Sequence, residues 1–141
     1  MESLLNEIIM LSNDIYNTIG PGYNEVIYHR AFEVALRLKG IAYESEVVTP
    51  IIYQNHTVGH GRIDLIVNKM VIIELKAIAN LNNNDSIIQI KNYMRQQSIV
   101  HGLIINFGQS NSKTPATITI KYINSDRIFN FVDNHFQELI I

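Results

Sequence analysis

A chain of 141 residues with 47% hydrophobic and 17% charged side chains has the size of one domain and the composition of a compact fold, which excludes a disordered polypeptide. Its formal net charge of -2 excludes a protein that coats nucleic acid by bulk attraction, so any such contact must rest on a local patch or on bound cations. The lack of cysteine removes disulfides, zinc fingers and thiol catalysis together.

The opening "MESLLNEIIML" is apolar, but Glu2 and Glu7 interrupt it and no basic stretch or cleavage site follows, so it is not read as a signal peptide. No window approaches about eighteen uninterrupted apolar residues, which argues against a membrane span and for an intracellular protein. Over 2–18, Leu4, Leu5, Ile8, Ile9, Leu11 and Ile15 recur at helical spacing and predict a helix that "GPG" at 20–22 ends. A second helix is expected from Asn24 to about Lys39, with Val26, Ile27, Phe32, Ala35, Leu36 and Leu38 inward and Gly40 as its cap. Three or four β-rich stretches follow in "AYESEVVTPIIYQ", "HTVGHGRIDLIV" and "MVIIELKAI". The polar run "NLNNNDS" at 80–86 reads as a loop, with Asp85 or Ser86 capping a helix through "IIQIKNYMRQQ". "IVHGLIINF" at 99–107 is continuously apolar, as expected for a strand covered on both faces. "ATITIKYI" alternates and reads as the last strand, and "FNFVDNHFQELII" is expected to be a short helix or tail. The order implies one mixed α/β domain over 1–141, with an antiparallel meander and one crossover helix.

Within the meander, "GHGRIDLIVNKMVIIELKA" at 59–77 sets Asp64, Glu74 and Lys76 among isoleucines and valines. Residues two apart on a strand share a face, so Glu74 and Lys76 point one way while Ile73, Leu75 and Ala77 point the other. A two-residue turn at Asn68-Lys69 would throw Asp64 to the wrong side. A three-residue turn, Asn68-Lys69-Met70, sets Asp64 opposite Glu74, and that register is the one expected. Two adjacent carboxylates repel, and the pairing makes sense if a hard cation, Mg²⁺ or Mn²⁺, lies between them with Lys76 nearby. The other reading is that Lys76 bridges both acids in a half-exposed ion network.

Asp64 followed by Glu74-Leu75-Lys76 resembles the core of the PD-(D/E)XK nuclease superfamily, with Ile63 where the short name has proline. "QIKNY", from Gln89 to Tyr93, is similar to the Q-x-x-x-Y element of the RecB-like branch, and "GYNEVIY" at 22–28 to the signature of the GxxExxY proteins. The likeness runs from about residue 5 to residue 107 with the motifs in the family's order. It implies an α/β restriction-endonuclease-like core in the order α-β-β-β-α-β, a mixed central sheet flanked by helices, and divalent-metal-dependent cleavage of phosphodiester bonds.

Carried over by position, the resemblance makes Asp64, Glu74, the Leu75 carbonyl and Glu25 the metal ligands and adds Lys76 as the group that activates water or stabilises the phosphate. Gln89 and Tyr93 share one helical face, as do Glu25 and Tyr28, and their neutral amide and hydroxyls suit support of ligands or contact with phosphate. Tyr28 reads equally as a core aromatic, and Arg62 either touches phosphate or pairs with an acid. Lys91, Arg95, Lys113, Lys121 and Arg127 are candidates for a phosphate-binding rim, the first two also reading as a solvated helix face. The reading is a nuclease acting on DNA rather than RNA, in repair, recombination or replication, compatible with a homodimer. Its rival is a nuclease-like module that binds nucleic acid or protein without cutting.

Overall fold

The computed structural model describes residues 1–79, 85–109 and 117–139. Helices α1 (Glu2–Ile19) and α2 (Glu25–Leu38) precede strands β1 (Tyr43–Tyr53), β2 (His56–Val67) and β3 (Val71–Lys76). Then come α3 (Asp85–Gln97), β4 (His101–Asn106), β5 (Thr119–Asn124), β6 (Arg127–Val132) and β7 (His135–Glu138). The strands form one seven-stranded sheet in sequence order, with β3 and β4 parallel and the other neighbours antiparallel. A parallel pair needs a crossover, and α3 provides it. The expected mixed α/β fold is therefore present, its α-β-β-β-α-β series running from α2 to β4.

Each face of the sheet carries its own core. On one, Leu5, Ile8 and Ile15 of α1 and Phe32 and Leu36 of α2 pack with Leu65, Val67, Ile73, Leu75, Leu103 and Ile105. On the other, Ile90, Tyr93 and Met94 of α3 cover Ile63, Ile66, Ile72 and Ile104. Neighbouring residues of β3 and β4 thus bury themselves in opposite directions, which is why these strands are apolar throughout instead of alternating.

Two expectations are corrected. Val26 and Leu38 are 45% and 83% exposed, not inward, because the buried stripe of α2 is Tyr28, Phe32 and Leu36 at intervals of four, and both lie well off it. Residues 127–138 form the β6–β7 hairpin in place of a helix or tail, so β5 is not the last strand. Asp133 and Asn134 take φ of 50° and 65°, the two-residue turn whose twist suits a hairpin. The hairpin is held by aromatic packing, with Phe136 5.1 Å from both Tyr122 and Phe131 between ring centroids. Lys113, Ile140, Ile141 and most of the 80–86 loop lie outside the described residues.

Candidate active site

The β2–β3 turn decides what the hairpin brings together. Val67 pairs with Val71, Ile66 with Ile72 and Leu65 with Ile73, so the loop is Asn68-Lys69-Met70, the three-residue register expected from the sequence. Asn68 and Lys69 take φ of 51° and 57°, and the Met70 N–H closes on the Val67 carbonyl at 2.9 Å. One step beyond the paired stretch, the Asp64 backbone N–H donates to Glu74 Oε1 at 3.3 Å, and Asp64 Oδ2 accepts the Leu75 N–H at 2.8 Å. Each carboxylate is held by the backbone of the other strand, so the two acids are fixed against one another.

Glu74 is 4% exposed. Burial first, then the charge of Asp64, pushes its carboxyl up to about 8, against the pull of the Asp64 N–H and of Lys76. At neutral pH Glu74 therefore keeps its proton. Lys76 is half-buried two residues further along β3. It makes no ion pair among the described residues, where the pairs are His29–Glu33, Arg62–Glu46 and Arg127–Glu138, so a Lys76 bridge is not what accommodates the acids.

Glu25 approaches from the start of α2. Its carboxyl is raised by burial and then by Asp64, while Lys76 and His29 act in the other direction. Glu25 remains exposed by surface area, so water screens these fields. Among the described residues no three His, Asp or Glu side chains stand close enough to enclose a metal ion. Asp64 and Glu74 form a pair, and Glu25 stands near it without completing a triad.

A family model described as the PD-(D/E)XK nuclease superfamily matches residues 2–118. The chain belongs to the PD-(D/E)XK nuclease superfamily. No curated protein matches it. It is similar to the crystal structure of SSO0001, with a TM-score of 0.53 and 24% identity, a likeness that shows the fold alone. The match covers 70% of this chain and 48% of that one, so this chain spans about half the length of its solved neighbour. PD-(D/E)XK nucleases typically use divalent metals. The carboxylate pair fits such an ion, because its donors are hard oxygens and a cation would offset the burial penalty and the repulsion that together keep Glu74 protonated.

The remaining expected residues divide into bracing and surface roles. Gln89 Nε2 donates to the Tyr93 hydroxyl at 3.2 Å, and that hydroxyl accepts the Arg62 N–H at 3.3 Å, tying α3 to β2 two residues before Asp64. Gly61 makes this possible, since a Cβ there would lie 2.7 Å from Tyr93 Cε1. Gly61→Ala is therefore expected to displace the tyrosine and cost about 1–3 kcal/mol in urea unfolding, with Tyr93→Phe in the same background recovering none of it.

Tyr28 is fully buried, stacked on Phe107 at 4.3 Å, and its hydroxyl donates to the Gly20 carbonyl at 2.8 Å. It latches the turn between α1 and α2. Arg62 pairs with Glu46 at 3.6 Å, both side chains being largely exposed. His29 lies between Ser45 Oγ at 2.8 Å and Glu33 at 3.5 Å. Of the expected phosphate-binding rim, Arg127 clamps Glu138 at 2.7 and 2.8 Å, Lys121 donates to Asn130 at 3.1 Å, and Arg95 donates to Asn92 at 2.8 Å.

Asn106 escaped sequence reasoning. It pairs with Lys76 across the β3–β4 ladder and is 3% exposed. Its Oδ1 accepts the Ile78 and Gly108 N–H groups, both at 3.0 Å, and its Nδ2 donates to the Ile78 carbonyl at 3.1 Å. The chain leaving β3 just past Lys76 is thereby pinned to β4. A lone amide closing the apolar run "GLIIN" was the available signal. Asn106→Ala strands a buried N–H at Gly108 and is expected to cost about 1–3 kcal/mol, read by thermal or urea unfolding.

Proposed function

We propose that this chain is a divalent-metal-dependent nuclease that hydrolyses phosphodiester bonds of DNA rather than RNA. In this reading 1–141 is one nuclease-like domain of the GxxExxY kind within the RecB-like branch, working inside the cell in repair, recombination or replication. A homodimer would present one site to each strand. Asp64, Glu74 and the Leu75 carbonyl would hold Mg²⁺ or Mn²⁺, with Glu25 adding negative charge beside them. When bound, the ion supplies a more acidic water and neutralises phosphate charge. The protein's own groups do the rest. The Lys76 ammonium orients the attacking water or donates to the phosphate oxygens, and the Gln89–Tyr93 brace holds the strand that carries Asp64.

The observation that carries this reading is the reciprocal bracing of Asp64 and Glu74, together with the raised Glu74 carboxyl. Holding two acids together with no ion pair to either among the described residues is costly, and a stability role alone gives no reason for it. The test is cleavage of linear, circular, single-stranded and branched DNAs in Mg²⁺ or Mn²⁺ by wild type, Asp64→Ala and Lys76→Met. Cutting that disappears in both variants supports the nuclease; cutting that persists in both belongs to a contaminant.

A second reading, a nuclease-like module that binds without cutting, is favoured by one observation: no third His, Asp or Glu side chain joins the pair closely enough to enclose an ion among the described residues. Thermal unfolding separates the two. A site that takes Mg²⁺ or Mn²⁺ gains about 2.7 kcal/mol at a hundredfold excess over Kd, with a matching rise in Tm that Asp64→Ala removes. An unmoved Tm with either ion decides for the module.

A further inference from the structure

Of the residues expected to serve an ion, Asp64, Glu74 and Leu75 stand on the sheet, whereas Glu25 opens α2. Residues 21–26 around it are all exposed. A helix start is commonly fixed by its N-cap side chain, yet Asn24 at this N-cap makes no side-chain cap bond. The turn before it is not packed either, since Gly20 and Gly22 take φ of 83° and 105° and a Cβ at either would meet no atom within 4 Å. Neither a side-chain cap nor packing at these glycines sets where Glu25 stands.

Tyr28, three residues further into the helix, reaches back to hold this segment. Its hydroxyl donates to the Gly20 carbonyl at 2.8 Å and accepts the Tyr23 N–H at 3.4 Å, so one oxygen spans the turn. The Tyr23 ring lies edge-on to the Tyr28 ring at 6.4 Å, and the Tyr23 carbonyl accepts Gln109 Nε2 at 2.9 Å. The Tyr28 ring is itself anchored. It lies within 5° of parallel on Phe107, whose N–H donates to the Lys76 carbonyl at 2.9 Å. A continuous set of contacts thus runs from the end of β3, where Lys76 stands, through Phe107 and Tyr28 to the turn that delivers Glu25.

We propose that Tyr28 is a positioning residue whose hydroxyl fixes Glu25 against the Asp64–Glu74 pair, so that its negative charge stands beside an ion held by the other two. The proposal rests on the reading of that pair as a site for Mg²⁺ or Mn²⁺. Glu25 is within electrostatic reach of the site, since Asp64 and Lys76 act on its carboxyl in opposite directions. A ring wanted only for packing is served as well by phenylalanine. The hydroxyl instead holds a turn whose next element begins with Glu25.

The test is a double-mutant cycle on Mn²⁺ affinity, read by calorimetry of the full chain without DNA. Tyr28→Phe keeps the ring and its stack and deletes the hydroxyl. It is expected to weaken Mn²⁺ binding about tenfold in the wild-type background, as losing a group that supports a ligand does, and by less than about twofold in a Glu25→Gln background. Gly22→Ala disturbs the same turn from its exposed side, because alanine resists a φ of 105°. It is expected to give the same pattern, and it carries the cycle alone if Tyr28→Phe does not fold. A loss equal in both backgrounds overturns the proposal, because a tyrosine that only stabilises the fold acts with or without the Glu25 carboxylate. So does an affinity that Tyr28→Phe leaves unchanged. Binding that Glu25→Gln leaves intact also overturns it, while the ion reading of Asp64 and Glu74 stands. Failure of that reading looks different: wild type binds no Mn²⁺, which overturns both.

Discussion

Lys76→Met is expected to keep the metal-induced rise in melting temperature while lowering DNA cleavage at least about a hundredfold. The two readouts separate because of where the lysine stands. It is half-buried beside the carboxylate pair and forms no ion pair among the described residues, so removing its charge strands no partner. Methionine keeps most of the apolar stem and its packing. Asp64→Ala removes a carboxylate from the pair and the acceptor of the Leu75 N–H together, so it should lose both the thermal shift and the cleavage. A Lys76→Met protein that cuts at a near wild-type rate would remove the lysine from the mechanism.

The metal-free protein is expected to lose stability as pH rises from about 4.5 toward 8. The Glu74 carboxyl sits at about 8 in the folded chain against an ordinary 4.5, so between those values the folded state holds a proton that the unfolded state has released. Unfolding therefore releases a proton, and higher pH favours it, with a slope of up to about 1.4 kcal/mol per pH unit. The stability that protonation of Glu74 confers is complete below 4.5 and gone above 8. Burial, and secondarily the N-terminal charge, hold the His101 ring below its ordinary range, which acts in the opposite sense. Urea unfolding across this range in wild type and Glu74→Gln isolates the carboxyl, since the amide cannot ionise and its profile should be flatter. Identical profiles would mean that Glu74 is not the proton carrier. Metal binding should show the mirror image, tightening with pH because the Glu74 proton must leave.

The parts of this protein legible in its sequence were those with one competing solution. The β2–β3 register could be deduced because a three-residue turn, or an equivalent bulge, is needed to put Asp64 across from Glu74, and the pairing of Val67 with Val71 is that register. The apolar run of β4 could mean only a strand covered twice. Where several solutions fit, the sequence was ambiguous. Val26 and Leu38 are as apolar as Phe32, and nothing local says that Tyr28 belongs to the buried stripe until Phe107 is stacked on it. The β6–β7 hairpin was hidden because Asp133-Asn134 lacks the glycine that usually announces such a turn, although Phe129 and Phe131 stand at strand spacing on either side of the polar Asn130. The hold of Gln109 on Tyr23 joins residues 86 positions apart and has no linear signature.

The strand that carries Glu74 and Lys76 is sandwiched between two cores and flanked by β2 and β4. Its amide protons, from Ile72 to Leu75, should rank among the slowest in the chain to exchange with deuterium, released only when the whole fold opens. The acids and the lysine then have no private route to disorder. Heat should extinguish cutting and dissolve the sheet at the same temperature, leaving no folded but inactive species in between.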